Sequence, residues 1–275
     1  MTIAKVNGTE IFYTIEGKGD PIVLIPGLGC THAYFGQMVP VLSERYQVIS
    51  LDLRGVGQSA KPRQDYSMEL WADDIAALLD QLEIPSAHIL GSSLGGCVAL
   101  AFGDRHLAKT KTLLLAATFS EIDKLLELNY RVRIGLIEKM GMSELVSKFA
   151  ITALFGRSFF ETEQGQQVAK MTIEMIMQND PEMYCEHLRA VLRFGRCELG
   201  QENEPKYTAK LPNMNVPALI TVGEEDVLTV AKFSKIMADG LPNAKLVIQE
   251  RAGHVTITEQ PVESGKLVLD FLSEL

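Results

Sequence analysis

Short apolar runs rich in β-branched residues, each bounded by turn formers, recur through the first part of the chain and again near its end. They fall at residues 11–15, 22–25, 46–51, 87–90, 112–116, 218–222 and 245–248. The first follows Asn7-Gly8, a dipeptide that favours a two-residue hairpin turn. The later runs are almost continuously apolar, as strands covered on both faces of a parallel sheet must be. Between the runs the period becomes helical, most clearly over residues 67–81. Ser67 can cap that helix, Glu69 adds negative charge in its first turn, and Pro85 follows its end. Leu70, Ala77 and Leu78 share a face, with Asp73 and Asp74 on other faces. Alternating strand and helix predict an α/β fold built on a doubly wound, mostly parallel sheet.

From about residue 120 to 205 the pattern changes. No strand-like run occurs there, and four helical stretches are expected, at 122–140, 143–155, 161–177 and 181–194. Strand signals resume at 218, so the segment reads as a helical insertion (120–205) into a core made of residues 1–119 and 206–275. Six of the eleven methionines fall in it: Met140, Met142, Met171, Met175, Met177 and Met183. They suit either ordinary packing of small helices or an adaptable lid over an apolar pocket.

Composition narrows the partners. The 275 residues carry a formal net charge of −9, which disfavours nucleic acid and anionic membrane surfaces while leaving open a small anionic substrate. Cys30, Cys97, Cys185 and Cys197 form no Cys-x-x-Cys pair and have no histidine at zinc spacing, so no metal site is expected. Free thiols, and an N-terminus with neither signal-peptide pattern nor apolar run of spanning length, predict a soluble cytoplasmic protein.

One string carries nucleophile chemistry. Gly91-Ser92-Ser93-Leu94-Gly95 is Gly-x-Ser-x-Gly, lying after the run 87–90 and before a helical run at 94–102. A strand-to-helix turn that tight presents the Ser93 hydroxyl above the sheet edge; Ser92 lacks the glycine spacing. A tetrahedral intermediate then needs two N–H donors for its oxyanion. Leu94, next after the serine, supplies one. Pro26-Gly27-Leu28-Gly29, after the run 22–25, offers Leu28 as the other.

The serine also needs a base. Of the five histidines, His88 lies inside a strand run, His106 ends the helix after the elbow, His187 sits in the insertion, and His32 follows the oxyanion loop within reach of the pocket. His254, in Ala252-Gly253-His254-Val255, comes just past the last strand, where ligands gather in open α/β sheets. Asp226, at the far side of the turn Gly223-Glu224-Glu225-Asp226, is the candidate acid to orient it, with Glu224 and Glu225 read as a solvated turn.

The order Ser93, Asp226, His254 and these turns resemble the α/β-hydrolase family. Asp52-Leu53-Arg54-Gly55-Val56-Gly57-Gln58-Ser59 is similar to that family's Asp-x-x-Gly-x-Gly-x-Ser turn, and Gly253-His254 with Glu259-Gln260-Pro261 to its Gly-His-x-x-x-x-Glu-x-Pro. The resemblance covers essentially the whole chain. It implies an eight-stranded sheet with an inserted helical cap, and no metal or organic cofactor. Pro26 stands where the family usually has a histidine before the oxyanion glycine, so here proline has to order the loop by its own rigidity. Serine rather than aspartate at 93 argues against the haloalkane dehalogenases and epoxide hydrolases of the family. The nearest likeness is to 3-oxoadipate enol-lactonases and carboxylesterases.

That resemblance implies hydrolysis of a small ester or lactone through an acyl-enzyme. A cap arginine (Arg131, Arg133, Arg189 or Arg193) is a candidate to hold a substrate carboxylate. Carbon–carbon bond hydrolysis and cofactor-free perhydrolysis use the same triad, and a ligand receptor can retain such a pocket. Substrate and oligomeric state are not encoded legibly in the chain.

Overall fold

The computed structural model describes residues 2–196 and 205–275; Cys197 lies outside the described residues. Eight strands form one sheet: β1 (Thr2–Val6), β2 (Thr9–Glu16), β3 (Asp20–Ile25), β4 (Tyr46–Leu51), β5 (Ala87–Ser92), β6 (Thr110–Ala116), β7 (Pro217–Gly223) and β8 (Asn243–Gln249). Their order is β1-β2-β4-β3-β5-β6-β7-β8. β1 and β2 run antiparallel to their neighbours, and every other pairing is parallel. The seven expected runs are all strands. The eighth, β1, escapes a search for apolar runs because only Ala4 and Val6 of this edge strand are buried. It pairs with β2 across Asn7-Gly8, both at positive φ, with Val6 facing Thr9.

Among the described residues eleven α-helices flank or cap the sheet. They are α1 (Val39–Leu42), α2 (Met68–Gln81), α3 (Leu94–Arg105), α4 (Lys124–Met140), α5 (Glu144–Leu154), α6 (Arg157–Phe160), α7 (Glu163–Met177), α8 (Pro181–Phe194), α9 (Ala231–Gly240), α10 (Thr256–Glu259) and α11 (Pro261–Ser273). Successive strand residues point to opposite faces, which builds two cores. Val23, Ile25, Ile89 and Ile220 pack with α2, α3 and α9, whereas Ile22, Leu24, Leu90 and Leu219 pack with α1 and α11.

Helices α4–α8 are inserted between β6 and β7. Four of them begin on a side-chain cap: Asp123, Ser143, Thr162 and Asp180 accept from Leu126, Val146, Gly165 and Met183 N–H respectively. The fifth, the single turn α6, is too short to show a period and was not expected. Among the described residues no helix is long and apolar enough to cross a membrane.

Asp74 corrects the helical-wheel reading of α2. It is buried, not turned away from the core, because Arg54 Nε and Nη2 donate to its two carboxylate oxygens at 2.9 and 2.6 Å. Arg54 belongs to the glycine-rich turn after β4, so the pair ties that turn to α2. Within the turn, buried Asp52 accepts from Gln58 N–H at 2.8 Å, and Ser59 Oγ donates to Asp52 O at 2.6 Å. A side chain at Gly57, which has φ +53°, would strike the Asp52 carboxylate.

Candidate active site

Ser93 stands between β5 and α3 at φ 53°, ψ −118°, a conformation costly for a residue with a Cβ. Tertiary contacts hold it there. Its N–H donates to Ala116 O at 2.9 Å, and its carbonyl accepts from Thr118 Oγ1 at 2.7 Å. The turn closes only with glycine at 91 and 95. A Cβ on Gly91 would lie 2.1 Å from Gly95 O, and one on Gly95 would lie 2.1 Å from Ile25 O.

Three distant stretches meet here. Ser93 Oγ lies 2.9 Å from His254 Nε2, and His254 Nδ1 lies 3.0 Å from Asp226 Oδ2. Both His254 and Asp226 are buried. Asp226 Oδ1 accepts from Leu228 and Thr229 N–H, each at 2.8 Å, and its Oδ2 accepts from Thr229 Oγ1 at 2.7 Å. Burial alone would push this carboxyl up; the adjoining imidazole and the Thr229 hydrogen bonds outweigh it and hold the carboxyl below its ordinary range. An ionised Asp226 draws the imidazole proton to Nδ1, which leaves the Nε2 lone pair facing the serine hydroxyl.

The loop after β3 runs beside the serine: a Cβ on Gly27 would meet Ser93 Cβ at 3.5 Å. Leu28 and Leu94 line the same cavity as Ser93 and His254. Among the described residues neither N–H donates to a protein acceptor. Asn179 Nδ2 donates to Gly29 O at 3.2 Å, and the Tyr184 ring abuts Gly29, so the cap braces this loop.

The other residues singled out in the sequence sort clearly. Ser92 is engaged by the Tyr34 hydroxyl at 3.0 Å. His32 is turned to Asp52, with Nδ1 2.8 Å from Oδ1, and does not line the cavity. His88 pairs with Thr112 inside the sheet, and burial lowers it to about 4. His106 meets Asp73 at 2.8 Å, and His187 is buried between cap and core. Glu224 stays exposed, but Glu225 is not part of a solvated turn. It accepts from Ser158 N–H at 2.9 Å and from the Ser158 hydroxyl, because α6 docks on it.

The cavity has a volume of about 380 Å³ and lies between the sheet edge and cap helices α4, α5, α7 and α8. Met171 and Met175, two of the six methionines of the insertion, line it, and its walls are otherwise largely apolar. Cys30 faces it too, but burial pushes that thiol up to about 12, so it is no rival nucleophile at neutral pH. Two residues carry more weight than their motifs suggested. Glu259 accepts from Gly253 N–H at 3.0 Å and from Gly156 N–H, joining the His254 loop to the cap; its place in Gly-His-x-x-x-x-Glu was the available signal. Arg133, one of six arginines in residues 120–205, reaches the cavity wall.

Comparison with known proteins agrees with this architecture. One family model, described as alpha/beta hydrolase fold, matches residues 20–142, and another, described as TAP-like protein, matches residues 182–274. An enol-lactonase from Burkholderia xenovorans LB400 superposes with a TM-score of 0.87 at 26% identity, covering 99% of this chain and 100% of that one. A thermophilic esterase from Thermogutta terrifontis gives 0.86 at 25% identity, covering 99% and 98%. A proline iminopeptidase from Lactobacillus crispatus is 28% identical over 97% of this chain and 96% of its own. With its mixed eight-stranded sheet, inserted helices and a structural match spanning nearly its whole length, the chain has the α/β-hydrolase fold.

Proposed function

We propose that the chain is a serine hydrolase that cleaves a small carboxylic ester or lactone through an acyl-enzyme. The supporting observation is the relay in which Ser93 Oγ sits 2.9 Å from His254 Nε2 while Nδ1 rests on buried Asp226. His254 takes the Ser93 proton as Oγ bonds to the carbonyl carbon. The N–H groups of Leu28 and Leu94 receive the oxyanion. His254 then gives its proton to the leaving oxygen as the carbon–oxygen bond breaks. Water repeats the sequence, its proton passing to His254 and on to Ser93 Oγ as the carboxylic acid departs. In this reading residues 120–205 form the cap, and no metal or cofactor takes part.

Multiple-turnover assays on short-chain esters, lactones and enol-lactones test the proposal. Ser93→Ala is expected to lower kcat at least about ten-thousand-fold and to abolish labelling by a fluorophosphonate. Wild-type protein that labels stoichiometrically yet turns over nothing in the screen would instead be a binding protein with a hydrolase pocket. A relative named as a proline iminopeptidase makes amide substrates one control for bond type, and carbon–carbon substrates test the alternative use of the same triad.

A further inference from the structure

The loop that carries Leu28 is held unequally by core and cap. On the core side Pro26, with neither an N–H nor a side-chain donor, leads into Gly27. Cys30 N–H closes on Gly27 O at 3.1 Å, and Gly29 has φ +67°. These are the marks of a type II turn, whose second residue, here Leu28, keeps its N–H out of the turn's own hydrogen bond. The next side-chain tie to the core is at His32, whose N–H donates to Asp52 Oδ1 at 2.7 Å. Between them, Gly29 O has one partner among the described residues, Asn179 Nδ2 at 3.2 Å.

Asn179 lies in the short link from α7 to α8. Its Nδ2 also reaches Ile176 O at 3.2 Å and Met175 O at 3.3 Å, carbonyls of the last turn of α7. Three carbonyl oxygens require donors, so the side chain must present its NH2 to them. One amide thus ties the end of α7, where Met175 and Ile176 line the cavity, to the turn that carries Leu28. The fit is close. A Cβ on Gly29 would lie 2.6 Å from the Tyr184 ring and 3.1 Å from Asn179 Nδ2.

We propose that Asn179 is a positioning residue for the oxyanion hole: by holding Gly29 O it aims the Leu28 N–H, so the cap completes a donor that the core alone does not fix. The inference rests on the hydrolase reading for the role of Leu28. An oxyanion donor is effective when it is preset and has no need to reorganise during the reaction. Releasing Gly29 O lets the turn rock between residues 26 and 32 and swings Leu28 N–H away. Ser93 and Asp226 keep their own anchors at Ala116, Thr118, Leu228 and Thr229. The oxyanion needs this donor more than the ground-state carbonyl does, so the loss falls on rate and not on substrate binding.

Asn179→Asp keeps the shape and removes both donors. With p-nitrophenyl acetate, kcat and kcat/KM are expected to fall together by on the order of 10- to 100-fold, with little change in KM. Asn179→Ala should fall in the same way, which separates the lost bond from the new charge. Asp180→Ala is the control for a loosened cap. It removes the side chain that caps α8 through Met183 N–H at 3.0 Å, in the same link but with no hydrogen bond to the loop among the described residues. It should lower thermal stability and keep kcat. Labelling by an alkyl fluorophosphonate, in which Ser93 Oγ bonds to phosphorus and fluoride leaves, uses the same donors without turnover. Its rate constant should drop with kcat in both Asn179 variants and hold at the wild-type value in Asp180→Ala. Asn179 variants that keep wild-type kcat and labelling rate overturn the proposal, as does an equal loss in Asp180→Ala. If wild type labels but turns over no ester, the hydrolase reading fails, and the labelling rates alone decide the role of Asn179. If it neither labels nor turns over, both fail.

Discussion

Ser93 carries its side chain at a backbone angle that glycine tolerates better, and the cost is retained because the hydroxyl has to project from the elbow. Comparing Ser93→Gly with Ser93→Ala isolates that cost, since both lack the hydroxyl and differ in the Cβ. Relief of strain less the extra flexibility of unfolded glycine leaves the glycine variant more stable by about 1 kcal/mol in urea denaturation. Equal stabilities would show that the elbow stores no strain. In the proposed relay Asp226 acts one hydrogen bond further away. Asp226→Asn keeps its shape but offers no charge to fix the Nδ1–H tautomer, so kcat should fall by about ten-thousand-fold with little change in thermal stability. That Ser93, Asp226 and His254 meet was legible because each sits in a turn whose glycines leave a mark in the string. Arg133 was not distinguishable from Arg131, two residues away, because only the docking of α4 decides which of them faces the cavity.

Among the elements, the cap is stitched to both loops that carry the proposed base and acid. Leu154 O, at the end of α5, accepts from His254 N–H at 2.9 Å, Glu225 grips Ser158 at the start of α6, and Glu259 accepts from Gly253 and Gly156 N–H. Burial pushes Glu259 up to about 7, so the folded protein favours its neutral form. The stability this gives is fully present below the ordinary carboxylate value and is lost as pH rises through about 7. Glu259→Gln does not titrate. The variant should therefore lose ground to wild type, by on the order of 2 kcal/mol, when denaturation is measured at pH 5 instead of pH 8. A constant difference between the two pH values would mean that Glu259 is ionised throughout. The strands and long helices of this assembly were readable from period alone. The stitching was not, because α6 is a single turn and its partners lie 67 and 103 residues away in sequence.

Across the whole molecule, α8 closes the cap against the core by packing the His187 ring edge-on against the stacked Tyr66 and Trp71 rings, with ring centres 5.0 and 5.1 Å apart. A Cβ on Gly55 would lie 2.4 Å from His187 Nε2, and among the described residues that nitrogen has no hydrogen-bond partner. The alternating pattern of strands and helices predicted the two layers but not this contact, since an isolated histidine in an amphipathic helix gives no sign of what it meets. Burial lowers His187 to about 3, so folding favours its neutral form and the associated stability, full above about 6.5, is lost as pH falls toward 3. By pH 5 the loss reaches about 2 kcal/mol, opposite in sign to the gain from Glu259 over the same interval. In wild type the two contributions nearly cancel between pH 8 and pH 5. His187→Leu should therefore gain on wild type by about 2 kcal/mol on going from pH 8 to pH 5, while Glu259→Gln loses by a similar amount. The double variant should track wild type across that range, because the sites lie on different elements and their effects should add. A single-variant difference that does not change with pH would rule out the buried neutral state assigned to that residue.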